Sequence, residues 1–373
     1  MTTPVLVFTL VFFILTAIYL FWFAGFFIGQ FNLKAGVNKK PHQVSIVVPA
    51  RNEAATIRAC LDSIVRQDYP ADRYEIIVVD DHSTDGTPGI VEHLVPEIGN
   101  LRLVRSQEGR QGKKQAITQG IEPARGDIIA IIDADCIAQP AWLAGLMRYF
   151  TPDVGVVAGA TFFKPEDERS FLHKLQALDG LALIAAGAGS MGAGHPTICN
   201  GSNLAYRRKA FDQVGGFAGI EKVGSGDDDM FVQKVHKLTA WKVVFAADPG
   251  TFNWTRPVDG LGALIRQRTR WCSTCASYPD RVLSAFLIMT YFYYWLALAA
   301  AGLFIWQPGA HLFLLFLLIS KELVQILVLV KGTTLFKRKD LLLLLPVLVA
   351  VHMPYVLLVS TLGLFTKTRW KGR

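Results

Sequence analysis

The first 33 residues contain no charged side chain, and within them Pro4 to Phe27 is an almost unbroken apolar run. A helix of about 20 such residues crosses a bilayer, because in hydrocarbon every backbone N–H and C=O has to be bonded within the protein. This segment fixes the class of the chain: whatever else folds here is tied to a membrane. A cleaved signal peptide would start on basic residues and carry a shorter apolar stretch, and the sequence has neither feature. Three more apolar runs follow, Val282 to Trp306, Leu312 to Val330 and Leu341 to Phe365, so four crossings are expected.

Lys34, Lys39 and Lys40 directly after the first run put the following segment in the cytoplasm by the positive-inside rule. The same rule favours a cytoplasmic "KGTTLFKRKD" connection, but four crossings would then carry the basic "TKTRWKGR" end outside. Two readings stay open: a fourth crossing, or a hairpin of two half-helices broken at Pro346 and Pro354 that returns the end to the cytoplasm. Lys321 and Glu322 lie inside the third run, where charge is costly, and are expected to face the bundle interior as a structural pair.

Between the first two runs, Lys34 to Arg281 is mostly hydrophilic and long enough for one substantial core. The formal net charge is +8, and basic residues cluster at 207–209, 266–270, 337–339 and the C-terminus. Such clusters suit anionic lipid headgroups and phosphates. No aromatic-interleaved motif points to nucleic acid. The five cysteines fit reduced thiols on a cytoplasmic face, and Cys272 with Cys275 lacks the second pair that a zinc site needs.

The hydrophilic segment alternates strand and helix patterns. "VSIVVPA" (44–50), "EIIVVDD" (75–81), "LRLVRS" (101–106) and "DIIAIIDAD" (127–135) read as buried strands, with helical spacing in "AATIRACLDSIVRQ" and "STDGTPGIVEHL" between them. Repeated βα units imply an α/β fold with a mostly parallel, Rossmann-like sheet, and ligands on such sheets sit beyond the carboxyl ends of the strands. That is where Arg51, Asn52, Glu53, Asp80, Asp81, Asp133 and Asp135 fall.

Neither a G-x-G-x-x-G after the first strand nor a P-loop occurs, which excludes the dinucleotide and P-loop readings. An acid-lined crevice remains, with Lys113 and Lys114 of "GRQGKKQA" available to neutralise phosphate. Asp133 and Asp135, two residues apart, project to one face and suit a divalent cation bound with a nucleotide pyrophosphate. A second acidic feature, "VGSGDDDMFV", sets Asp227, Asp228 and Asp229 side by side. Alone it would read as a solvated helix start, because carboxylates favour helix N-termini.

"SIVVPARNE", "EIIVVDDHSTDGT", "QGKKQA", "IIDAD", "GDDD" and "QRTRW", in this order, resemble the membrane-bound inverting family 2 glycosyltransferases, the group with cellulose synthase, hyaluronan synthase and ceramide glucosyltransferase. The resemblance implies a GT-A fold, a nucleotide-sugar donor such as a UDP-sugar, and Mg²⁺ or Mn²⁺. By the same resemblance, Asp81 reads the nucleotide base beside Pro49, Ala50, Arg51 and Glu53, and Lys113 falls at the lysine of the family's GK motif. Asp135 matches the metal-binding acid of DxD, with Asp133 next to it toward the ribose or sugar. Asp228 matches the base aspartate, with Asp227 where the family usually has Glu, and three acids in a row leave that register open by one. Inverting transfer needs a carboxylate to take the acceptor's proton, and the charge of like neighbours raises its proton affinity, so chemistry assigns Asp228 the same role.

Gln267, Arg270 and Trp271 stand at i, i+3 and i+4 on a helical pattern and share a face that can offer an Arg to pyrophosphate and an indole to a sugar ring. The competing reading is a helix anchored at lipid headgroups. The expected organisation is a membrane helix over 1–33, a cytoplasmic GT-A domain over 34–255, an interfacial helix over 256–281 and about three spans over 282–373. The expected function is transfer of a sugar to a lipid-linked or membrane acceptor at the inner or plasma membrane, with membrane lipids and other membrane proteins as partners. The alternative is a processive polysaccharide synthase acting on a growing glycan, and a further one a non-catalytic nucleotide-binding protein or transporter.

Overall fold

The computed structural model describes residues 3–221 and 223–365; the basic "TKTRWKGR" stretch, 366–373, lies outside them. A long apolar helix, α1 (Thr3–Gly29), leads into a seven-stranded sheet. Its strands are β1 (Val44–Ala50), β2 (Tyr74–Asp80), β3 (Leu101–Arg105), β4 (Ile128–Ile131), β6 (Val154–Ala158), β8 (Leu204–Arg207) and β9 (Lys242–Phe245), in the order β3-β2-β1-β4-β8-β6-β9. All neighbours are parallel except at β8, which runs antiparallel to β4 and β6. A small second sheet joins β5 (Ile137–Ala138), β7 (Thr161–Phe163) and β10 (Asn253–Thr255).

Both faces of the sheet are covered, and alternation along each strand decides which side chain goes where. Ile46, Val48, Ile76 and Val78 pack against α2 (Ile57–Val65), α3 (Thr87–Leu94) and α5 (Trp142–Met147). Val47, Ile77, Val79, Ile129 and Ile131 share a second core with α4 (Lys113–Ile121), α6 (Phe171–Gly192) and α8 (Asp227–Leu238). That core continues without a break into the apolar helices α1, α10 (Arg281–Trp306), α11 (Leu312–Leu335) and α12 (Leu345–Phe365). The short α7 (Arg208–Gln213) follows β8, and α9 (Leu261–Cys272) carries the QRTRW sequence just before α10.

Among the described residues, four helices are long and apolar enough to cross a membrane: α1, α10, α11 and the segment Lys339–Phe365 that holds α12. α12 is one helix with Pro354 inside it, so the two-half-helix hairpin considered from Pro346 and Pro354 does not form. Proline removes one backbone donor, but a single loss is tolerated where the rest of the helix stays bonded. α6 locks onto α1 through small residues: a Cβ on Gly29 or Gly189 would collide with the backbone of the other helix. Bare backbones in contact are how helices associate where the hydrophobic effect is absent.

Candidate active site

β1, β2 and β4 end at one edge of the sheet, and the loops leaving them form a crevice. Asn52 and His82 follow the first two strands in the left-handed region, with φ of 53° and 54°. Their loops are laced together: Asn52 Oδ1 accepts from the Thr84 N–H at 2.8 Å, and the Glu53 N–H donates to Thr87 Oγ1 at 2.8 Å. Glu53 itself accepts from Thr56 Oγ1 at 2.8 Å.

Pro49 and Ala50 end β1, and beside them Asp81 is wholly buried. Its Oδ2 accepts from the Gly112 N–H at 3.1 Å and lies 3.8 Å from Arg51 Nη1, while Oδ1 has no hydrogen-bond partner. A buried carboxylate oxygen left without a donor is costly unless a ligand supplies one, and a nucleotide base carries such N–H groups.

Asp133 and Asp135 leave β4 in a turn, outward of the buried Ile132 and Ala134, so the alternation read from sequence persists past the strand. Asp133 Oδ1 pairs with Lys113 Nζ at 2.7 Å. Burial works against the charge on Lys113, but the carboxylates of Asp133, Asp227 and Asp228 outweigh it and hold its pKa above the ordinary lysine value. Lys114 does different work. Its Nζ donates to the carbonyls of Val223 and Ser225, tying down the loop that leads into the triple aspartate.

The three aspartates open α8, and each has separate surroundings. Asp228 accepts from the N–H groups of Gly201, at 2.6 Å, and of Asp229, at 2.9 Å. A Cβ on Gly201 would lie 2.8 Å from Asp228 Oδ2, so this close approach requires glycine. Burial, and then the neighbouring charge of Asp227, push the Asp228 pKa up to about 6. Asp229 accepts from the Cys199 N–H at 2.7 Å and the Tyr278 hydroxyl at 2.8 Å. Burial and the charge of Asp228 raise its pKa as well.

On α9, Arg270 Nη1 donates to Ser225 Oγ at 2.8 Å. Burial lowers its pKa, and the carboxylates of Asp227, Asp228 and Asp133 act in the opposite direction. Gln267 and Trp271 contact Arg268. Arg268 sits over the Trp271 ring at 4.1 Å, donates to Gln267 Oε1 at 3.2 Å and pairs with Asp179 at 2.7 Å. On this one helix Gln267 and Trp271 thus have Arg268 as their neighbour, while Arg270 reaches Ser225.

Cys199, Asp228 and Asp229 bring three possible metal ligands within 4.8 Å. Their chemistry does not suit Mg²⁺ or Mn²⁺: the Asp229 oxygens already accept Cys199 N–H and Tyr278 hydroxyl bonds, and burial raises the Cys199 thiol pKa. Asp135 is exposed at the mouth of the crevice, touched through Oδ1 by the Cys136 thiol at 3.6 Å. An exposed carboxylate beside Asp133 fits a hard cation that completes its shell with phosphate oxygens. A separate recess lined by Arg125, Arg207, Arg208 and Lys209 lies at the other end of the strands and holds none of these side chains.

Sequence reasoning missed Ser225, Gly201 and Tyr278. Ser225 lies in the run before the triad, where it was legible, whereas Gly201 and Tyr278 carry no local signal.

Residues 45–215 match the family model described as glycosyl transferase family 2. Over 243 residues the chain is 30% identical to a beta-monoglucosyldiacylglycerol synthase from Synechocystis, covering 61% of this chain and 47% of that one. Over 270 residues it is 26% identical to a poly-beta-1,6-N-acetyl-D-glucosamine synthase from Staphylococcus aureus, covering 68% and 61%. The chain spans about half the length of the curated relatives it matches. A mannosyltransferase from Pyrobaculum calidifontis, solved with GDP-mannose and Mn²⁺, superposes with a TM-score of 0.62 at 22% identity, covering 97% of this chain and 100% of that one. The fold is thus GT-A, joined to apolar helices.

Proposed function

We propose that this chain, which carries a glycosyl transferase family 2 domain, transfers one sugar with inversion from a UDP-sugar or related donor to a lipid in the membrane that holds it. The observation that carries the reading is the convergence of Lys113, Arg270, Asp133 and Asp228 at the carboxyl edge of the sheet, beside the apolar helices. The relative that makes a glucosyl lipid supports a lipid acceptor.

In this reading Asp81 and Arg51 hold the base and ribose end of the donor, with Pro49, Ala50 and Glu53 forming the wall. Arg270 and Lys113 meet the diphosphate, where charge-assisted bonds to oxyanions are strong. Asp135, with Asp133, would hold a Mg²⁺ or Mn²⁺ ion that offsets the charge of the departing nucleoside diphosphate. Asp228 takes the proton of the acceptor hydroxyl as its oxygen bonds to the anomeric carbon and the bond to the diphosphate breaks. Each carboxylate oxygen has two lone pairs, so the two backbone N–H bonds to Asp228 leave room for that proton, and a pKa near 6 keeps the base ionised at neutral pH. Asp227 adds the like charge that raises it.

The test is product size from isolated membranes given labelled UDP-glucose, UDP-N-acetylglucosamine and GDP-mannose. A single sugar on solvent-extractable lipid is expected. A high-mass polymer would move the assignment to polysaccharide synthesis, and no transfer from any donor would reject both.

A further inference from the structure

α12 is long and apolar enough for a membrane crossing, yet the segment that leads into it packs on the catalytic domain and its last turn packs on α9. The chain enters it through residues 336–344, which are fastened to the catalytic domain. The Phe336 ring sits 5.3 Å from Phe162 and 5.7 Å from Phe252, and Arg338 pairs with the buried Glu168 at 2.7 Å. At the other end, a Cβ on Gly363 would lie 3.2 Å from the Ser273 nitrogen and 3.3 Å from the Thr269 oxygen. Those residues close α9, whose Arg270 bonds Ser225 beside the aspartates.

The other three apolar helices run together away from the catalytic domain. α1 and α10 run antiparallel, with Trp22 stacked on Phe286 at 4.5 Å near the catalytic end and Phe12 on Tyr293 at 5.2 Å further down. Phe13 meets Phe313, at the distal start of α11, at 6.0 Å. α12 follows neither path. His352 meets the Tyr294 ring at 6.0 Å, about halfway along α10, and beyond it the helix turns back toward α9: Tyr355 accepts from Arg268 at 3.1 Å, and Thr361 meets the Tyr291 hydroxyl at 3.0 Å. A helix side chain leans toward the N-terminus of its own helix, so the Tyr291 hydroxyl sits nearer the catalytic end of α10 than its backbone does.

We propose that α12 does not cross the membrane but lies within the leaflet on the catalytic side, under α9, with its outer face against acyl chains. That face is Val351, Leu358, Leu362 and Phe365, exposed by 39%, 47%, 40% and 84%, at helical spacing and without a charge. Leu348, Val359 and Gly363 turn inward. Three crossings also satisfy the positive-inside rule. The distal connection 307–311 has no Lys or Arg, whereas Lys34, Lys39, Lys40, Lys331, Lys337, Arg338 and Lys339 all lie at the catalytic end. The partner surface is therefore the hydrocarbon of one leaflet, within about 15 Å of its headgroups.

Two measurements on the full-length protein test this. An epitope inserted at the exposed Gly99 and another fused after Arg373 should answer alike, either both accessible or both protected, in intact spheroplasts and again after permeabilisation. Opposite answers would place the two ends on different sides and overturn the proposal. Nitroxide labels at Val351→Cys, Leu358→Cys and Leu362→Cys should all report depths within one leaflet. A steady progression through the bilayer centre, or a label at the far headgroups, would overturn it independently of whether the enzyme transfers sugar.

Discussion

Two of the buried charge clusters differ in how their charge is balanced. In the apolar bundle, Lys321 is wholly buried and pairs one-to-one with Glu322 at 2.7 Å, with its ammonium 4.6 Å from the Tyr294 ring. Tyr294 in turn meets the Tyr19 hydroxyl at 3.2 Å and Gln325 at 3.3 Å. Every member is satisfied, as the costly burial of charge demands. At the crevice the balance is different: Asp133, Asp227 and Asp228 face Lys113 and Arg270, and Asp81 keeps one oxygen unpartnered. Charge that closes on itself is structural, whereas charge left open at a strand edge waits for a cation and a phosphate. Lys321 and Glu322 thus behave as the interior pair expected from sequence.

The contrast is broken most severely at Asp228. Asn keeps its size and one acceptor oxygen but cannot take a proton, so Asp228→Asn should lower kcat by about 10² to 10⁴ with donor Kd nearly unchanged. Asp227→Asn should fall between that and wild type. Asp229→Asn loosens the anchors to Cys199 and Tyr278 and should lower thermal stability. A dead Asp227→Asn beside an active Asp228→Asn would shift the base by one residue.

In the bundle the effect should be on folding alone. Lys321→Met leaves Glu322 without its partner and should cost about 3 kcal/mol, recovered largely in the Lys321→Met, Glu322→Gln double variant. Thermal unfolding in nanodiscs measures this, and donor affinity should stay constant in both. A loss of donor binding would erase the distinction between the two clusters.

Arg270→Ala should weaken nucleoside diphosphate binding by about 1.5 to 3 kcal/mol, the range for a lost charged hydrogen bond. Trp271→Ala should change it much less, since its ring packs under Arg268. Titration calorimetry on both variants sharpens the split between these neighbours.

The smallest effect is in pH dependence. With the Asp228 pKa near 6, kcat should fall about tenfold per unit below that value, and Asp228→Asn should lack this limb. The same group acts oppositely on stability. Its pKa is raised on folding, so the stability it contributes is complete below the ordinary carboxylate value near 4 and is lost as pH rises through about 6. Activity should rise across the window in which folding stability declines.

The sequence announced what repeats locally. β1, β2 and β3 fall where apolar runs predict them, and the alternation that hides Ile132 and Ala134 turns Asp133 and Asp135 outward. It could not show what depends on distant segments. The antiparallel β8 brings the 199–203 loop under Asp228, and nothing near Gly201 signals this. Adjacent lysines looked equivalent until Lys114 was found bonded to Val223 and Ser225. Arg268 is held by Asp179, far away in sequence, and in that place touches both Gln267 and Trp271. Apolar length in α12 fits a crossing equally well as a helix lying in one leaflet, because hydropathy records the solvent and not the direction.

The central claim is that the open charge at the crevice is a metal and nucleotide-sugar site, and calorimetric titration of UDP with and without Mn²⁺ tests it most directly. Wild-type protein should bind UDP more tightly when Mn²⁺ is present, and Asp135→Ala should lose that increment while the apolar bundle stays folded. An Asp135→Ala variant with the full Mn²⁺-dependent increment would contradict the account.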